Sequence, residues 1–129
     1  MKPITTIGIL GAGAMGAFFA ESFAKVSAFS TYLIAEGQRA ITLNKDGVVI
    51  NGKQHFFKVL QPDRTETKLD LILVALKHHQ LQAALAKIQP LVGANTVFVS
   101  VMNGLESEEI IASVYGKEKV LYAISVGIV

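Results

Sequence analysis

Six residues near the N-terminus constrain this chain most. Gly11-Ala12-Gly13-Ala14-Met15-Gly16 is a G-x-G-x-x-G run. Ile4 to Leu10, just before it, is a short apolar run that reads as a buried strand. After it, Met15, Phe18, Phe19, Ser22, Phe23 and Val26 recur at three- and four-residue steps, which predicts one face of a helix ending near Ala28. A glycine run between a strand and a helix is the context in which such a motif carries meaning. Gly11 permits the tight turn, Gly13 leaves room for a phosphate to approach the backbone, and Gly16 lets the helix pack closely on the strand. The unpaired N–H groups at the helix start then favour an anion. The plainer alternative is that these glycines only build a tight turn.

The same alternation continues along the chain. Thr31 to Ala35 reads as a second strand closed by Glu36-Gly37, and Arg39 to Asn44 as a short helix ended by Asp46-Gly47. Val48 to Ile50, Asn51-Gly52 and Gln54 to Val59 read as a β-hairpin, because Asn-Gly tolerates the positive φ values of a type I′ turn. Pro62 to Lys68 is polar and loop-like. Leu69 to Leu76 is a near-continuous apolar run, as in a parallel strand covered on both faces. Gln80 to Ile88 is helical by pattern and stopped by Pro90 and Gly93. Thr96 to Val101 is a further strand, Glu106 to Tyr115 a helix with an acidic first turn, and Val120 to Val129 a last apolar strand. Strands alternating with helices predict an α/β fold with a doubly wound, mostly parallel sheet, the hairpin being an insertion after the second strand.

Composition sets the outer limits. The 129 residues are one domain's length, and 51% hydrophobic against 17% charged residues excludes intrinsic disorder. A net charge of +2 without clustered Lys or Arg gives no basis for nucleic-acid binding. Without cysteine there is no disulfide, thiolate nucleophile or Cys-based metal site, which fits a cytoplasmic location. Pro3 to Ala20 carries no charge and invites a signal-peptide or anchor reading, but its four glycines and its change of period argue against membrane association. The apolar end, Ser125-Val126-Gly127-Ile128-Val129, predicts that this is the front domain, 1–129, of a longer protein.

Glu36 lies 20 residues beyond Gly16, where an acidic residue accepts hydrogen bonds from an adenosine ribose and repels a 2′-phosphate. Arg39 favours the opposite, and both alternatively are solvated surface charges. Lys77 ends an apolar strand and so faces the crevice where open parallel sheets bind ligands. His78 and His79 follow, but no third ligand has suitable spacing, so a metal is not expected. Asn103-Gly104 ends the next strand; its amide suits a ribose hydroxyl or a substrate carbonyl, or simply makes a turn.

The glycine run, Ala35-Glu36-Gly37-Gln38-Arg39, Leu76-Lys77-His78-His79-Gln80 and Asn103-Gly104-Leu105-Glu106-Ser107-Glu108-Glu109 together resemble the ketopantoate reductase (2-dehydropantoate 2-reductase) family over essentially the whole chain. The resemblance implies a Rossmann-type domain followed by a C-terminal helical domain that this chain lacks. It implies NADPH-dependent reduction of ketopantoate to pantoate, on the route to pantothenate, with the general acid supplied by the missing domain and no catalytic residue here. By the resemblance, Gly11, Ala12, Gly13, Ala14, Met15, Gly16, Leu76, Lys77, Gln80, Asn103 and Gly104 belong to the cofactor site. Lys77 is placed near the 2′-phosphate, and Asn103 at the nicotinamide end beside the substrate. The family often places an arginine where this chain has Glu36, so Lys77 argues for NADPH and Glu36 for NADH.

Two other readings share the front half: a dinucleotide-sensing module without catalysis, and the front domain of another hydroxy-acid or opine-type dehydrogenase. An isolated front domain is also expected to expose apolar surface and to self-associate as a homo-oligomer.

Overall fold

The computed structural model describes residues 3–11, 13–102 and 106–121. In chain order these form β1 (Thr6–Leu10), α1 (Ala14–Ala24), β2 (Ser30–Ile34), α2 (Gly37–Asp46), β3 (Val48–Ile50), β4 (Lys53–His55), β5 (Lys58–Leu60), β6 (Leu69–Val74), α3 (Leu81–Lys87), β7 (Val92–Ser100), α4 (Glu106–Tyr115) and β8 (Val120–Leu121). Six strands make one sheet in the order β5-β2-β1-β6-β7-β8, with every neighbouring pair parallel. β3 and β4 form a separate antiparallel pair. This is a Rossmann-type doubly wound sheet. The chain runs outward from β1 to β2 and β5, then returns to β6 on the other side of β1, and that reversal opens a crevice beyond the carboxyl ends of β1 and β6.

Side-chain alternation along the strands feeds two cores. Ile7, Ile9, Leu33, Leu71 and Leu73 pack with Ala20 of α1 and Leu43 of α2 on one face. Leu10, Ile34, Leu69, Ile72, Val74 and Phe98 pack with Leu81, Leu85 and Ile111 of α3 and α4 on the other. All six residues of β6 are buried, as its unbroken apolar run predicts for a strand covered on both faces. The one polar residue among them, Asp70, ties the amino ends of β1 and β6 together. Its Oδ2 accepts from Thr5 N (2.9 Å), Thr5 Oγ1 (3.0 Å) and Thr6 N (3.1 Å), while its own N–H donates to Thr6 Oγ1 (2.9 Å). The Thr5 backbone bond, with the further bonds from Thr5 and Thr6, outweighs burial and holds the Asp70 carboxyl far below the usual carboxylate range.

Two further polar ties fix α4. The buried hydroxyls of Ser100 and Ser107 share a 2.8 Å hydrogen bond between the end of β7 and the start of α4, and Ser100 Oγ also accepts from Met102 N (3.2 Å). The Tyr115 hydroxyl donates to the Leu85 carbonyl on α3.

Several boundaries differ from the sequence reading. β1 begins at Thr6, leaving Ile4 exposed. α1 ends at Ala24, not near Ala28, because turns closed by Val26 N to Phe23 O and Phe29 N to Val26 O (both 3.0 Å) lead the chain into β2. Its buried stripe is Gly16, Ala17 and Ala20; Met15 and Phe18 are more than half exposed. The helix lies too close to the sheet for an aromatic stripe between them, so Phe19 and Phe23 pack from the flank. α2 is longer than its pattern suggests. His78–Gln80 forms a single 3₁₀ turn before α3, and β7 takes up Val92 to Asn95, including Gly93, instead of starting at Thr96.

The largest difference lies after the Asn51-Gly52 turn, whose φ values of 51° and 80° suit the expected type I′ hairpin. The expected arm Gln54 to Val59 is split. Lys53–His55 pairs with β3, and after Phe56-Phe57 the chain crosses to pair Lys58–Leu60 with β2. Phe57 and Val59 join one core and Leu60 the other, and the backbone edge of β2 gains partners. Only Val120–Leu121 of the expected last strand falls within the described residues.

Candidate functional site

The carboxyl ends of β1, β2 and β6 converge on a cavity of about 710 Å³. It is floored by the first glycine turn and the start of α1, through Gly11, Gly13, Ala14 and Met15, and walled by Glu36, Arg39, Leu76, Lys77, Gln80 and Lys87. A second hollow of about 430 Å³ continues past Met15, Leu76 and Lys77 to His78, Val101 and Met102 at the end of β7. The cleft therefore runs across the ends of β2, β1, β6 and β7, along the topological switch.

Each glycine of the turn has a distinct steric role. Gly11 has φ +105°, and a Cβ there would lie 2.4 Å from the Ala75 carbonyl oxygen, so neither backbone conformation nor space admits a side chain. At Gly16 a Cβ would lie 1.9 Å from the Gly11 carbonyl oxygen. Gly16 is thus buried under the turn and does not line the cavity. At Gly13 nothing of the protein lies within 4 Å of a Cβ. Protein packing does not explain the glycine there; a Cβ would face the open space of the cleft.

Gly13 is also the N-cap of α1 and supplies no side-chain hydrogen bond, and the first turn holds no acidic residue. The leading N–H groups therefore keep their partial positive charge facing the cleft. α4 differs, with Glu106, Glu108 and Glu109 in its first turn.

Lys77 sits just beyond β6 in a turn that its neighbour closes: Lys77 N donates to Gln80 Oε1 (3.1 Å), and Gln80 N donates to the Lys77 carbonyl (2.9 Å). The Lys-x-x-Gln spacing is a cap that fixes where the lysine leaves the backbone. His78 Nε2 lies 3.3 Å from Glu106 Oε1, linking this turn to α4. Among the described residues no three His, Cys, Asp or Glu side chains gather to hold a metal ion.

Glu36 closes β2 as the N-cap of α2, and its side chain is not solvated alone: Lys87 Nζ lies 2.8 Å from Glu36 Oε1. Hydrogen bonding to Glu36, together with its charge, raises the Lys87 pKa above the ordinary lysine value. Sequence reasoning did not find Lys87. Its position in the last turn of α3 is legible, but the partner depends on how α3 docks. Arg39 and Lys77 are exposed and have no carboxylate partner among the described residues. The cleft thus gathers Gly11, Gly13, Ala14, Met15, Glu36, Arg39, Leu76, Lys77 and Gln80, while Ala12, Asn103 and Gly104 lie outside the described residues.

Residues 7–128 match the family described as Ketopantoate reductase PanE/ApbA. The chain belongs to the ketopantoate reductase family. A 2-dehydropantoate 2-reductase of Mesorhizobium japonicum is 30% identical over 103 residues, covering 77% of this chain and 32% of that protein. The crystal structure of 2-dehydropantoate 2-reductase from Geobacter metallireducens superposes with a TM-score of 0.73 at 27% identity, over 89% of this chain and 39% of that one. D-Mandelate dehydrogenase, in a ternary structure with NADH and anilino(oxo)acetate, superposes with a TM-score of 0.77 at 28% identity, over 90% and 39%. The chain spans about a third of the length of the curated relatives it matches. This ketopantoate-reductase-like family is one of oxidoreductases. No helix among the described residues is long and apolar enough to cross a membrane.

Proposed function

We propose that these 129 residues form the dinucleotide-binding domain of an NAD(P)H-dependent 2-keto acid reductase, with ketopantoate as the substrate reduced to pantoate. The observation that carries the reading is the open space before Gly13 at an acid-free helix start, inside a cleft that also gathers Lys77, Arg39 and Gln80. The α1 N–H groups would hold the pyrophosphate, and Glu36, Arg39, Lys77 and Lys87 would surround the adenosine ribose. The hollow toward Met102 would take the nicotinamide, and the family resemblance assigns Asn103 to the substrate's side. When bound, the cofactor supplies hydride to the α-keto carbon. The chain's own residues bind and orient; the proton for the developing alkoxide comes from a group outside these 129 residues. A cytoplasmic location fits this role.

Calorimetric titration of the chain with NADPH and NADH tests the reading. Saturable binding of at least one dinucleotide, competed by the matching adenosine fragment, is expected, and no binding at about millimolar concentration, the weak end of specific association, would sink it. Turnover of ketopantoate by the chain alone should be negligible, since positioned acid catalysis contributes about 10²–10⁴-fold. D-Mandelate dehydrogenase matches this fold as well as the ketopantoate reductase does, so the fold leaves the side chain of the 2-keto acid open. The coding sequence that contains this chain, expressed whole and assayed with ketopantoate and with benzoylformate, decides between them.

A further inference from the structure

Glu36 stands where a carboxylate favours NADH, yet the structure does not leave that carboxylate free to do so. Lys87 reaches it from the far wall of the cleft at 2.8 Å, and both residues line the same cavity. Lys87 lies in the last turn of α3, where a cation also faces the negative end of the helix, so its ammonium is directed to the rim by two attractions. At this rim the cavity then carries Glu36 against Lys87, Arg39 and Lys77, an excess of positive charge.

We propose that Lys87 selects the cofactor: by masking Glu36 while offering its remaining N–H donors to a neighbouring dianion, it makes this cleft accept the 2′-phosphate of NADPH despite the acidic residue at the end of β2. This rests on the reading of the cleft as a dinucleotide site. The pair is exposed enough to admit a further partner, with the Lys87 side chain 63% and the Glu36 side chain 35% accessible. In the unliganded chain Lys87 holds Glu36. A 2′-phosphate entering between Lys87, Arg39 and Lys77 adds a doubly charged acceptor beside Glu36, and Lys87, with three N–H donors, bridges the phosphate and the carboxylate. Removing Lys87 therefore takes away one attraction and uncovers one repulsion, whereas NADH, which has no charge at that position, meets neither and regains a free carboxylate for its ribose hydroxyls.

The experiment is a titration of NADPH and NADH against wild type, Lys87→Met, Glu36→Gln and the double variant, with melting temperatures of the ligand-free proteins as a check on folding. Lys87→Met keeps the apolar stem. It should weaken NADPH by about tenfold or more and leave NADH unchanged or bound more tightly, as expected for losing a charge-assisted contact beside an uncovered carboxylate. Adding Glu36→Gln to Lys87→Met should recover part of the NADPH affinity, the part lost to the uncovered carboxylate, and the salt dependence of NADPH binding should be shallower in Lys87→Met than in wild type. An NADPH to NADH affinity ratio indifferent to Lys87→Met overturns the proposal. So does a double variant as weak toward NADPH as Lys87→Met, since Lys87 would then be a phosphate ligand with no masking role. Wild type binding neither dinucleotide overturns the cleft reading itself, and the proposal with it.

Discussion

Gly13 and Gly16 sit three residues apart in one turn, and the structure assigns them opposite reasons for lacking a side chain, so an alanine at each should have opposite consequences. At Gly16 the new Cβ would lie 1.9 Å from the Gly11 carbonyl oxygen and 3.3 Å from Ile9 Cγ2. The oxygen is backbone and cannot rotate aside, so the first turn of α1 must withdraw by roughly 1.5 Å to reach ordinary contact. Overpacking against backbone that cannot rotate aside falls in the upper part of the usual range, about 2–3 kcal/mol, of which the better helix propensity of alanine returns about 1 kcal/mol. A net loss of about 1–2 kcal/mol lowers the melting temperature by roughly 4–8 °C in a domain of this size. The displaced N–H groups also lose a charged acceptor worth about 1.5–3 kcal/mol, or about 10- to 100-fold in dinucleotide affinity. At Gly13 the Cβ meets nothing of the protein, and φ −72° is open to any residue. The loss of the better cap and the smaller unfolded-state entropy roughly cancel, so melting should change by less than about 2 °C. Affinity should still fall about tenfold or more, because a methyl then occupies the phosphate's approach. Thermal melts and titrations of the two variants side by side give the answer. Gly16→Ala with wild-type melting would refute the packing argument, and Gly13→Ala with wild-type affinity would refute the placement of the phosphate.

Asp70→Asn should destabilise the chain by about 2–3 kcal/mol at neutral pH, since a buried carboxylate accepting three hydrogen bonds is replaced by an amide that meets two backbone donors with fewer acceptor sites. Because the folded carboxyl titrates well below the unfolded one, the Asp70 contribution is complete above about pH 4 and fades as the pH falls below it; melts between pH 7 and pH 3 should show a shallower acid decline in Asp70→Asn than in wild type, and equal slopes would refute this. Ser107→Ala should cost about 1–2 kcal/mol by stranding the Ser100 hydroxyl, and Ser100→Ala more, because Met102 N loses its acceptor as well. Denaturant unfolding of the double Ser100→Ala/Ser107→Ala variant should give less than the sum of the two single losses, and strict additivity would show that the two hydroxyls do not interact.

The parts of the fold that were legible in the sequence are those where one local rule decides. The run Leu69 to Val74 is buried throughout because a central parallel strand has helices on both faces, and it is visible as a run without polar interruption except Asp70. The Asn51-Gly52 turn follows from the only common residues that accept its dihedrals. β5 was hidden because three residues, Lys58 to Leu60, carry no period long enough to read, and their strand character comes from the open edge of β2. The stripe on α1 was misassigned for a related reason. Periodicity weighs Met15, Phe18 and Phe23 heavily, whereas contact distance selects Gly16, Ala17 and Ala20. That small-residue stripe was present in the sequence as the signal of close helix–sheet packing, and it begins with the last glycine of the motif.

The candidate site divides along the same line. Gly11, Gly13 and Gly16 act through backbone geometry within one turn, so their places follow from the motif and its flanks. Lys77 and Gln80 are joined by a bond across three residues, which is also local. Glu36 and Lys87 meet only because β2 and α3 end on opposite walls of the same cleft. If the cleft takes a dinucleotide as proposed, Glu36 alone would favour NADH, whereas its pairing with Lys87 would offset much of that preference and leave Arg39 and Lys77 as the uncompensated charges. The strand interiors, nearly all apolar and buried, carry no information about which dinucleotide enters. That choice lies with charged residues at the ends of elements, where a shift of one turn in how α3 docks would separate Lys87 from Glu36 by about the 5.4 Å pitch of a helix and restore the carboxylate's original effect.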